Sequence, residues 1–370
     1  MTALPWNRRV ERGHAGLIRV MLWLTLRLGW RTGRVLLYPI TLYFFLAAPG
    51  ARAASRGFLA RATGRPVSSA AVFRHLFAFA AMLLDRAFFL TGRTERYAIS
   101  VRGLDRLTAA LAEGRGVVLL GAHLGSFEVL RAFARAAPVP VRMLMYRANA
   151  GAFSRLIERL DPDMAASIIE IGQPESMLRV HESVARGEIV GILADRAPAR
   201  GTAGAGITDR GAQTLSVPFL GAPAAFPTGP FRLAASLGAP ILLFFGIAAG
   251  PRKYDLIFES FTPPVAANRR DALHGAVLCY AARLAQHARA APFNWFNFHD
   301  FWDNSPDAPS PSAAGPVPPA GHPAVGDRRT GDRPTGNGPT GGDSGARSGG
   351  ARPARGGAGR PARGGAARPA

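Results

Sequence analysis

The sequence is poor in cysteine, in lysine and in charged residues generally. Its 370 residues include one cysteine, Cys279, which excludes an intramolecular disulfide framework and a multi-cysteine zinc or iron–sulfur site. Of 45 basic residues only Lys253 is a lysine, and charged residues make up 19% of the chain, below the usual quarter. Hydrophobic residues make up 48%, so a sizeable core can be buried and a mostly disordered chain is excluded.

Acidic residues are too few to balance the arginines. The net charge is +21, of which the segment after Asn304 accounts for +5 with nine Arg and four Asp. The remaining residues are therefore basic in their own right. Such a charge suits nucleic acid, an anionic membrane surface or an acidic protein, and composition alone does not choose among them.

Hydrophobic runs long enough to cross a membrane are also missing. A full membrane span needs about 20 apolar residues. The uncharged run Val35–Ala48 has 14 residues and contains Pro39, and it follows a second apolar stretch, Leu17–Leu26. Three arginines stand between the two stretches: Arg27, Arg31 and Arg34. The pattern does not have the form of a signal peptide. We interpret it as a membrane anchor, monotopic or a single span with snorkelling arginines, and a buried pair of core helices is the alternative.

Residues 305–370 are mostly Pro, Gly, Ala and Arg. This composition cannot bury enough apolar surface to offset chain entropy, so the tail is predicted to be disordered. Its Arg–Gly repeats are typical of RNA-binding segments, but the tail has no Phe, Tyr or Trp on which a base could stack. No nucleic-acid partner is therefore expected.

Between residues 57 and 95 apolar side chains recur at helical intervals. They could line a pocket for an acyl chain, although packing in a core is the favoured interpretation. The aromatic and aliphatic positions are Phe73, Phe77, Phe79, Leu83, Leu84, Phe88 and Phe89. Residues 1–97 are thus predicted to form a helical, membrane-associating region.

From residue 98 short apolar runs alternate with helical stretches. The runs are Gly116–Gly121, Val139–Tyr146, Glu188–Ala194 and Pro240–Gly246. Continuous apolar strands separated by helices indicate a mostly parallel central sheet covered by helices. The sequence therefore predicts an α/β domain over residues 98–304.

A histidine and a glutamate follow the first of these strands. His123 comes directly after the strand, Ser126 is a candidate N-cap, and Glu128 falls in the first turn of the next helix. Across such a corner Glu128 could accept a hydrogen bond from one imidazole nitrogen, leaving the other nitrogen as a base for a substrate hydroxyl. Gly125 would leave room for that substrate. Taken alone, the spacing of His123 and Glu128 is weak evidence for catalysis, since a histidine at a strand end is usually structural.

Several blocks of this sequence resemble the lysophospholipid acyltransferase superfamily, and its lipid A biosynthesis (late) acyltransferase branch in particular. The stretch GAHLGSFE around His123 resembles the H-x4-D/E motif of that superfamily. The other matching blocks are Tyr146–Asn149, Gly187–Arg196, Val217–Gly221, Phe226–Pro230 and Asn294–Trp302. The resemblance covers residues 5–303.

This resemblance implies an O-acyltransferase of a bacterial plasma membrane, acting at its cytoplasmic face. A fatty acyl group would pass from a thioester, with acyl carrier protein as the expected carrier, to a hydroxyl of a membrane lipid or glycolipid. His123 would be the general base and Glu128 would orient it and stabilise its charged form. No cofactor and no cysteine acyl-enzyme are implied, and the anionic membrane surface would be a second partner.

Further candidates for substrate binding follow other strands or begin a helix. They are Arg147, Asn149, Asp195, Arg196, Thr228 and Gly229. The first two could hold a phosphate or the developing oxyanion, or be a surface arginine and a turn asparagine. The next two could shape the acceptor site or pair with neighbouring charges. The last two could bind an anion at helix amides, but a plain helix start is favoured.

The aromatic block at residues 295–302 could sit at a bilayer interface, and packing on the core is its main alternative. His299 and Asp300 do not form a metal site on this evidence, because no second histidine accompanies them. Two other functions remain open for the whole chain: acylation of a phosphatidylinositol mannoside or another glycolipid, and non-catalytic binding to membranes by a basic protein.

Overall fold

The computed structural model describes residues 15–134, 139–145, 166–171, 173, 175–196, 214–263 and 269–302. All of these fall within the first of two units, Met1–Ala313. The predicted disordered tail lies outside the described residues.

Four helices make up the described part of the N-terminal region. They are α1 (Ala15–Leu28), α2 (Trp30–Ala47), α3 (Pro49–Thr63) and α4 (Ser69–Leu90). Gly64 follows α3 in the left-handed conformation, and the Ser68 hydroxyl accepts a hydrogen bond from Ala71 N at the start of α4. The predicted helical character of this region is confirmed.

No single described helix is long and apolar enough to cross a bilayer. Helices α2 and α3 pass that test only as a pair, and they are bent by 97° at their junction. Helices α1 and α2 nevertheless expose many large apolar side chains, so they are not the fully buried core pair considered above. These side chains are Val20, Trp23, Leu28, Val35, Tyr38, Leu42, Tyr43 and Leu46.

A seven-stranded sheet forms the centre of the α/β part. Its strands are β1 (Ala98–Arg102), β2 (Val117–Gly121), β3 (Val141–Met145), β4 (Ile168–Glu170), β5 (Ile189–Leu193), β8 (Ile241–Gly250) and β9 (Lys253–Ser260). Their order is β1-β9-β8-β2-β5-β3-β4, and all pairs are parallel except the β8–β9 hairpin. The mostly parallel sheet is confirmed: β2, β3 and β5 lie within three of the predicted apolar runs, and β8 begins in the fourth and extends beyond it to Gly250.

Helices cover both faces of this sheet. They are α5 (Leu104–Ala112), α6 (Glu128–Ala134), α7 (Glu175–Ala185), α8 (Gly229–Leu237) and α9 (Arg269–Ala290). In β2, Val118 and Leu120 belong to one core, whereas Val117 and Leu119 belong to the core on the opposite face. Because both faces are buried, the strand is apolar at every position rather than at alternate ones.

Two more strands, β6 (Thr214–Phe219) and β7 (Ala222–Pro227), form a separate antiparallel hairpin. The turn consists of Leu220 and Gly221, and both have positive φ, as a two-residue hairpin turn requires. Phe219 and Phe226 are buried beneath it. The hairpin packs on α9 and carries the chain into α8.

Asp85 attaches α2 to the rest of the fold. Its carboxylate is buried and accepts hydrogen bonds from Trp30 Nε1, Tyr97 OH and Tyr254 OH, at 2.6, 2.8 and 2.8 Å. Burial raises the pKa of Asp85, although the three donors and the charge of Arg34 oppose that effect.

The buried stripe of α4, with Leu84, Phe88 and Phe89 almost inaccessible, is mainly core, as favoured from the sequence.

Glu188 should make the stability of the fold sensitive to acid. It precedes β5, and Arg142 Nε and Arg186 Nε donate to its carboxylate at 2.7 and 2.9 Å. The hydrogen bond from Arg142, followed by the other donors, outweighs desolvation and lowers the pKa of Glu188 to about 2 from the ordinary 4.5. This carboxylate therefore stabilises the fold fully above pH 4.5, and its contribution is lost as the pH falls toward 2.

Substituting Glu188→Gln should flatten that acid-side loss of unfolding free energy and lower stability at neutral pH. Denaturant unfolding between pH 3 and 7 would measure both effects. Glu113→Gln is the matched control, since Glu113 pairs with Arg115 on the surface at 3.4 Å. An unchanged pH dependence in Glu188→Gln, relative to this control, would contradict the assignment.

Candidate active site

The site lies at the carboxyl ends of β2 and β5, which are neighbours in the sheet. Their parallel register pairs Gly121 with Leu193, so His123 and Asp195 both stand two residues beyond a paired position. Ligands of open parallel sheets collect at this edge because the loops leaving adjacent strands meet there. The sequence placed both residues at strand ends but did not show that the two strands are adjacent.

The carboxylate of Asp195 holds His123 at two points. Oδ1 is 2.8 Å from the imidazole Nδ1, and Oδ2 accepts from the backbone N–H of His123 at 3.0 Å. Oδ2 also accepts from Trp295 Nε1 at 3.0 Å. Since an ionised carboxylate only accepts, Nδ1 carries the proton and the lone pair is on Nε2. In the part of the chain that the structure describes, no hydrogen bond engages Nε2.

The electrostatics of the pair favour a neutral imidazole beside an ionised carboxylate. Burial lowers the pKa of His123, and the nearby Arg196 guanidinium lowers it further, while Asp195 and Glu128 oppose the change. Burial alone would raise the pKa of Asp195, but its interaction with His123, followed by the charge of Arg196 and the hydrogen bond from Trp295, outweighs burial and holds that pKa well below its ordinary value. The arrangement is a neutral imidazole against an ionised carboxylate, with about a third of the histidine side chain accessible.

The predicted hydrogen bond between Glu128 and the imidazole is not formed, and Asp195 takes that place. Glu128 begins α6 as predicted, but its carboxylate pairs with Arg86 Nε at 2.7 Å and accepts from Ser126 Oγ at 3.0 Å. The Ser126 hydroxyl donates to the Glu128 side chain, and Ser126 lies two positions before the helix. Ser126 is therefore not the N-cap that the sequence suggested. Glu128 is buried within electrostatic range of His123 and ties the corner to α4.

The space beside Gly125 is occupied by protein rather than left for a substrate. Gly125 has φ +77°, and a Cβ added there would lie 1.9 Å from the carbonyl oxygen of Gly246. Strand β8 approaches so closely that Ser126 N donates to Gly246 O at 2.8 Å. The glycine is required by the close backbone approach, which corrects the prediction drawn from the sequence.

Residues 294–302 pack against this corner rather than at an exposed face. Trp295 has no exposed surface, and its ring contacts Phe58, Phe219 and Phe301. The backbone also takes part, because Phe296 N donates to His123 O at 2.9 Å. Of the two interpretations of the aromatic block, packing on the core is the one that the structure supports.

The other predicted substrate-binding residues have mixed positions. Arg196 follows Asp195 and donates through Nη2 to the carbonyl of Phe296, so it lies in the site. Thr228 is buried at the N-terminus of α8, and Gly229 begins that helix, which fits a plain helix start. Arg147 and Asn149 lie outside the described residues.

Metal-ligand clusters are absent from the residues that the structure describes. The free thiol of Cys279 is half-buried on α9. What the site presents is an imidazole oriented by a carboxylate. A strand-end base of this kind fits proton transfer from a hydroxyl.

Comparison with known families decides the class of the protein. The model of the bacterial lipid A biosynthesis acyltransferase family matches residues 71–304, which include His123, Glu128, Asp195 and Trp295. The chain belongs to this family. It is thus an acyltransferase, and the resemblance described from its motifs is confirmed. Members of this family transfer acyl groups to lipids and are in general membrane-associated. Among proteins of curated function the acyltransferase has no match.

Sequence reasoning missed three residues of the acyltransferase site. Trp295 was noted only as one of several aromatics, although its indole N–H bonds Asp195. Arg86 interrupts the apolar stripe of α4 and was not proposed as a site residue, yet it pairs with Glu128. His75 was not noted at all. A charged pair, Asp85–Arg86, inside an otherwise apolar helical stripe is the one signal that could have drawn attention to α4.

Proposed function

We propose that the acyltransferase moves a fatty acyl group from a thioester to a hydroxyl of a membrane lipid or glycolipid, with His123 as general base. The observation that carries this proposal is the 2.8 Å contact between His123 Nδ1 and Asp195. It leaves the lone pair of Nε2 available for a substrate. The family membership supplies the reaction class. Lipid A precursors are the first acceptor to test.

The proposed step needs no cofactor. Nε2 of His123 removes the proton of the acceptor hydroxyl while its oxygen attacks the thioester carbonyl. The tetrahedral intermediate then collapses, the carbon–sulfur bond breaks, and the thiolate takes the proton back from the imidazolium. Asp195 holds the ring and stabilises its charged form throughout.

Glu128 has a second, electrostatic role in this proposal. Its carboxylate raises the pKa of His123 and so assists the imidazolium that forms during the reaction. The ion pair with Arg86 keeps it in place. Glu128 acts on His123 only electrostatically, whereas Asp195 contacts the ring directly. We therefore expect Glu128 to affect the rate less than Asp195 does. Arg147 and Asn149 are retained as candidates for binding phosphate or the oxyanion.

The exposed face of α1 and α2 supports attachment to an anionic membrane surface. Its large apolar side chains, such as Trp23, Val35 and Leu46, lie among arginines. Between Glu11 and Asp85 the sequence contains no acidic residue. Apolar insertion combined with arginines at headgroup level is the usual chemistry of monotopic helices. We propose that this face meets the cytoplasmic leaflet of the bacterial plasma membrane.

A basic groove supports an acidic thioester carrier such as acyl carrier protein. The groove has a volume of about 480 Å³, and the residues that line it include Arg65 and Arg289 together with Leu59 and Phe293. Phe293 directly precedes the segment that bonds His123 and Asp195. Arginines beside apolar side chains in one groove favour an acidic partner that carries an apolar group.

Acyl transfer can be tested with membranes that contain the full-length protein. Release of thiol from acyl–acyl carrier protein, and separately from acyl–coenzyme A, would be followed with total bacterial lipid as acceptor. The wild type should release thiol and form a new acylated lipid detectable by mass spectrometry. His123→Ala should reduce the rate by at least about 10²-fold, the range associated with loss of a general base.

Equal release by wild type and His123→Ala would contradict the catalytic assignment. Mass spectrometry of the product separates a lipid A precursor from a phosphatidylinositol mannoside or another glycolipid. Folded wild-type protein that binds membranes but turns over neither donor with any of these acceptors would favour the non-catalytic alternative.

A further inference from the structure

His75 is a buried histidine that the proposed mechanism does not use. It lies on α4 with no exposed surface, and both of its ring nitrogens are within hydrogen-bond distance of a partner. Nδ1 is 2.9 Å from Ser55 Oγ on α3, and Nε2 is 3.0 Å from the backbone carbonyl oxygen of Trp295. The ring therefore joins two N-terminal helices to the segment that covers the site.

The partners of His75 determine its tautomer. A carbonyl oxygen only accepts, so Nε2 carries the proton and Nδ1 accepts from the Ser55 hydroxyl. Burial lowers the pKa of His75 to about 4, and the hydrogen bond to Trp295 only partly opposes this, so the ring is neutral near neutral pH. The other groups that face the ring are aromatic: Phe58, Phe296 and Phe298.

The carbonyl that His75 holds belongs to the residue that bonds Asp195. Trp295 Nε1 donates to Asp195 Oδ2 at 3.0 Å, and the next backbone N–H, that of Phe296, donates to His123 O at 2.9 Å. A displacement of this peptide would therefore move the support of both His123 and its carboxylate. The path from His75 to Asp195 passes through Trp295, and the path to His123 passes through the peptide group between Trp295 and Phe296.

We propose that His75 is a positioning residue for acyl transfer. Its Nε2–H fixes the peptide of Trp295, which keeps Asp195 in hydrogen-bond contact with His123. Asp195 raises the pKa of His123, so a looser contact should lower that pKa. The kinetic consequence rests on the proposed function, but the pKa of His123 can be measured without turnover.

Three variants of the full-length protein test this role. His75→Phe fills the space and removes the donor, whereas His75→Gln can return an N–H to the position of Nε2. Ser55→Ala removes the contact on the other side of the ring and leaves the bond to Trp295, so its effect should be smaller. Circular dichroism and thermal unfolding would establish that each variant folds, and His75→Asn, which is too short to reach Trp295, replaces His75→Phe if that variant does not.

In His75→Phe we expect kcat to fall roughly 10- to 100-fold, by analogy with the loss of outer-shell partners of metal ligands, with KM unchanged. The acid limb of the rate profile should move to lower pH, because His123 would lose its proton at lower pH. His75→Gln should recover most of the rate. Equal losses in both variants, or a rise in KM alone, would overturn the proposal.

Nuclear magnetic resonance of protein labelled at histidine Cε1 supplies the measurement that does not need activity. Eight histidines contribute signals, and His123→Ala identifies that of His123. The pKa of His123 should be lower in His75→Phe than in wild type or His75→Gln. An unchanged pKa in folded His75→Phe would refute the proposal, whereas inactive wild-type protein with the expected shift would refute only the proposed function.

Discussion

Asp195→Asn is expected to lower kcat by about 10⁴-fold, as the same change of the orienting carboxylate does in serine proteases. In one amide orientation the NH2 group faces two donors, His123 N–H and Trp295 Nε1–H. In the other it faces Nδ1 of His123 and stabilises the tautomer in which Nε2 carries the proton. The first orientation is unfavourable because donors face donors, and the second places the proton on Nε2, so the variant loses an oriented base.

Steady-state thiol release by Asp195→Asn, wild type and Glu128→Gln would measure this effect. Asp255→Asn serves as the matched control, because Asp255 pairs with Arg102 on the surface at 2.9 Å and should change little. A smaller loss is expected for Glu128→Gln than for Asp195→Asn. The reverse order would return the orienting role to Glu128.

Gly125→Ala is expected to destabilise the fold by more than about 4 kcal/mol, a range that few substitutions reach. The new Cβ would lie 1.9 Å from the carbonyl oxygen of Gly246, and backbone of β8 cannot give way as a flexible side chain can. The movement needed would also break the hydrogen bond from Ser126 N to that oxygen. Loss of the corner should abolish activity together with stability.

Gly187→Ala offers a matched control for this substitution. Gly187 has φ +78°, almost the value of Gly125, but an added Cβ would meet nothing within 4 Å. Only the cost of the left-handed backbone should appear there, about 1–2 kcal/mol. Denaturant unfolding of the purified proteins in detergent would compare the two. Similar stabilities for the two variants would show that the corner relaxes more easily than its packing indicates.

Much of the fold could be predicted from the sequence because its physical causes are local. Four apolar runs became strands of a covered sheet, since a strand buried on both faces needs an apolar residue at every position. The paired strands β6 and β7, the short β4 and the outer strands β1 and β9 were not predicted. In several of these strands polar residues alternate with apolar residues or interrupt them. Their strand character depends on neighbouring strands that lie far away in the chain.

The sequence by itself determined the class of the site. A histidine after an apolar strand, a carboxylate after another and a basic, apolar N-terminus are local facts, and together with the matching blocks they indicate a lipid acyltransferase. They could not show which carboxylate meets the imidazole. Glu128 is five positions from His123 in the chain, and Asp195 is 72 positions away. Only the pairing of β2 with β5 brings Asp195 within hydrogen-bond distance of the imidazole.

The tertiary structure also decided which groups Gly125, Trp295 and His75 contact. Gly125 lies against the backbone of Gly246 on β8, and Trp295 donates to Asp195 after β5. His75 lies within hydrogen-bond distance of the backbone carbonyl of Trp295. Residue type and spacing carry information about the conformation of a segment and its burial. They do not specify the partner of a buried polar group, because that partner is set by strand order and helix packing over the whole chain.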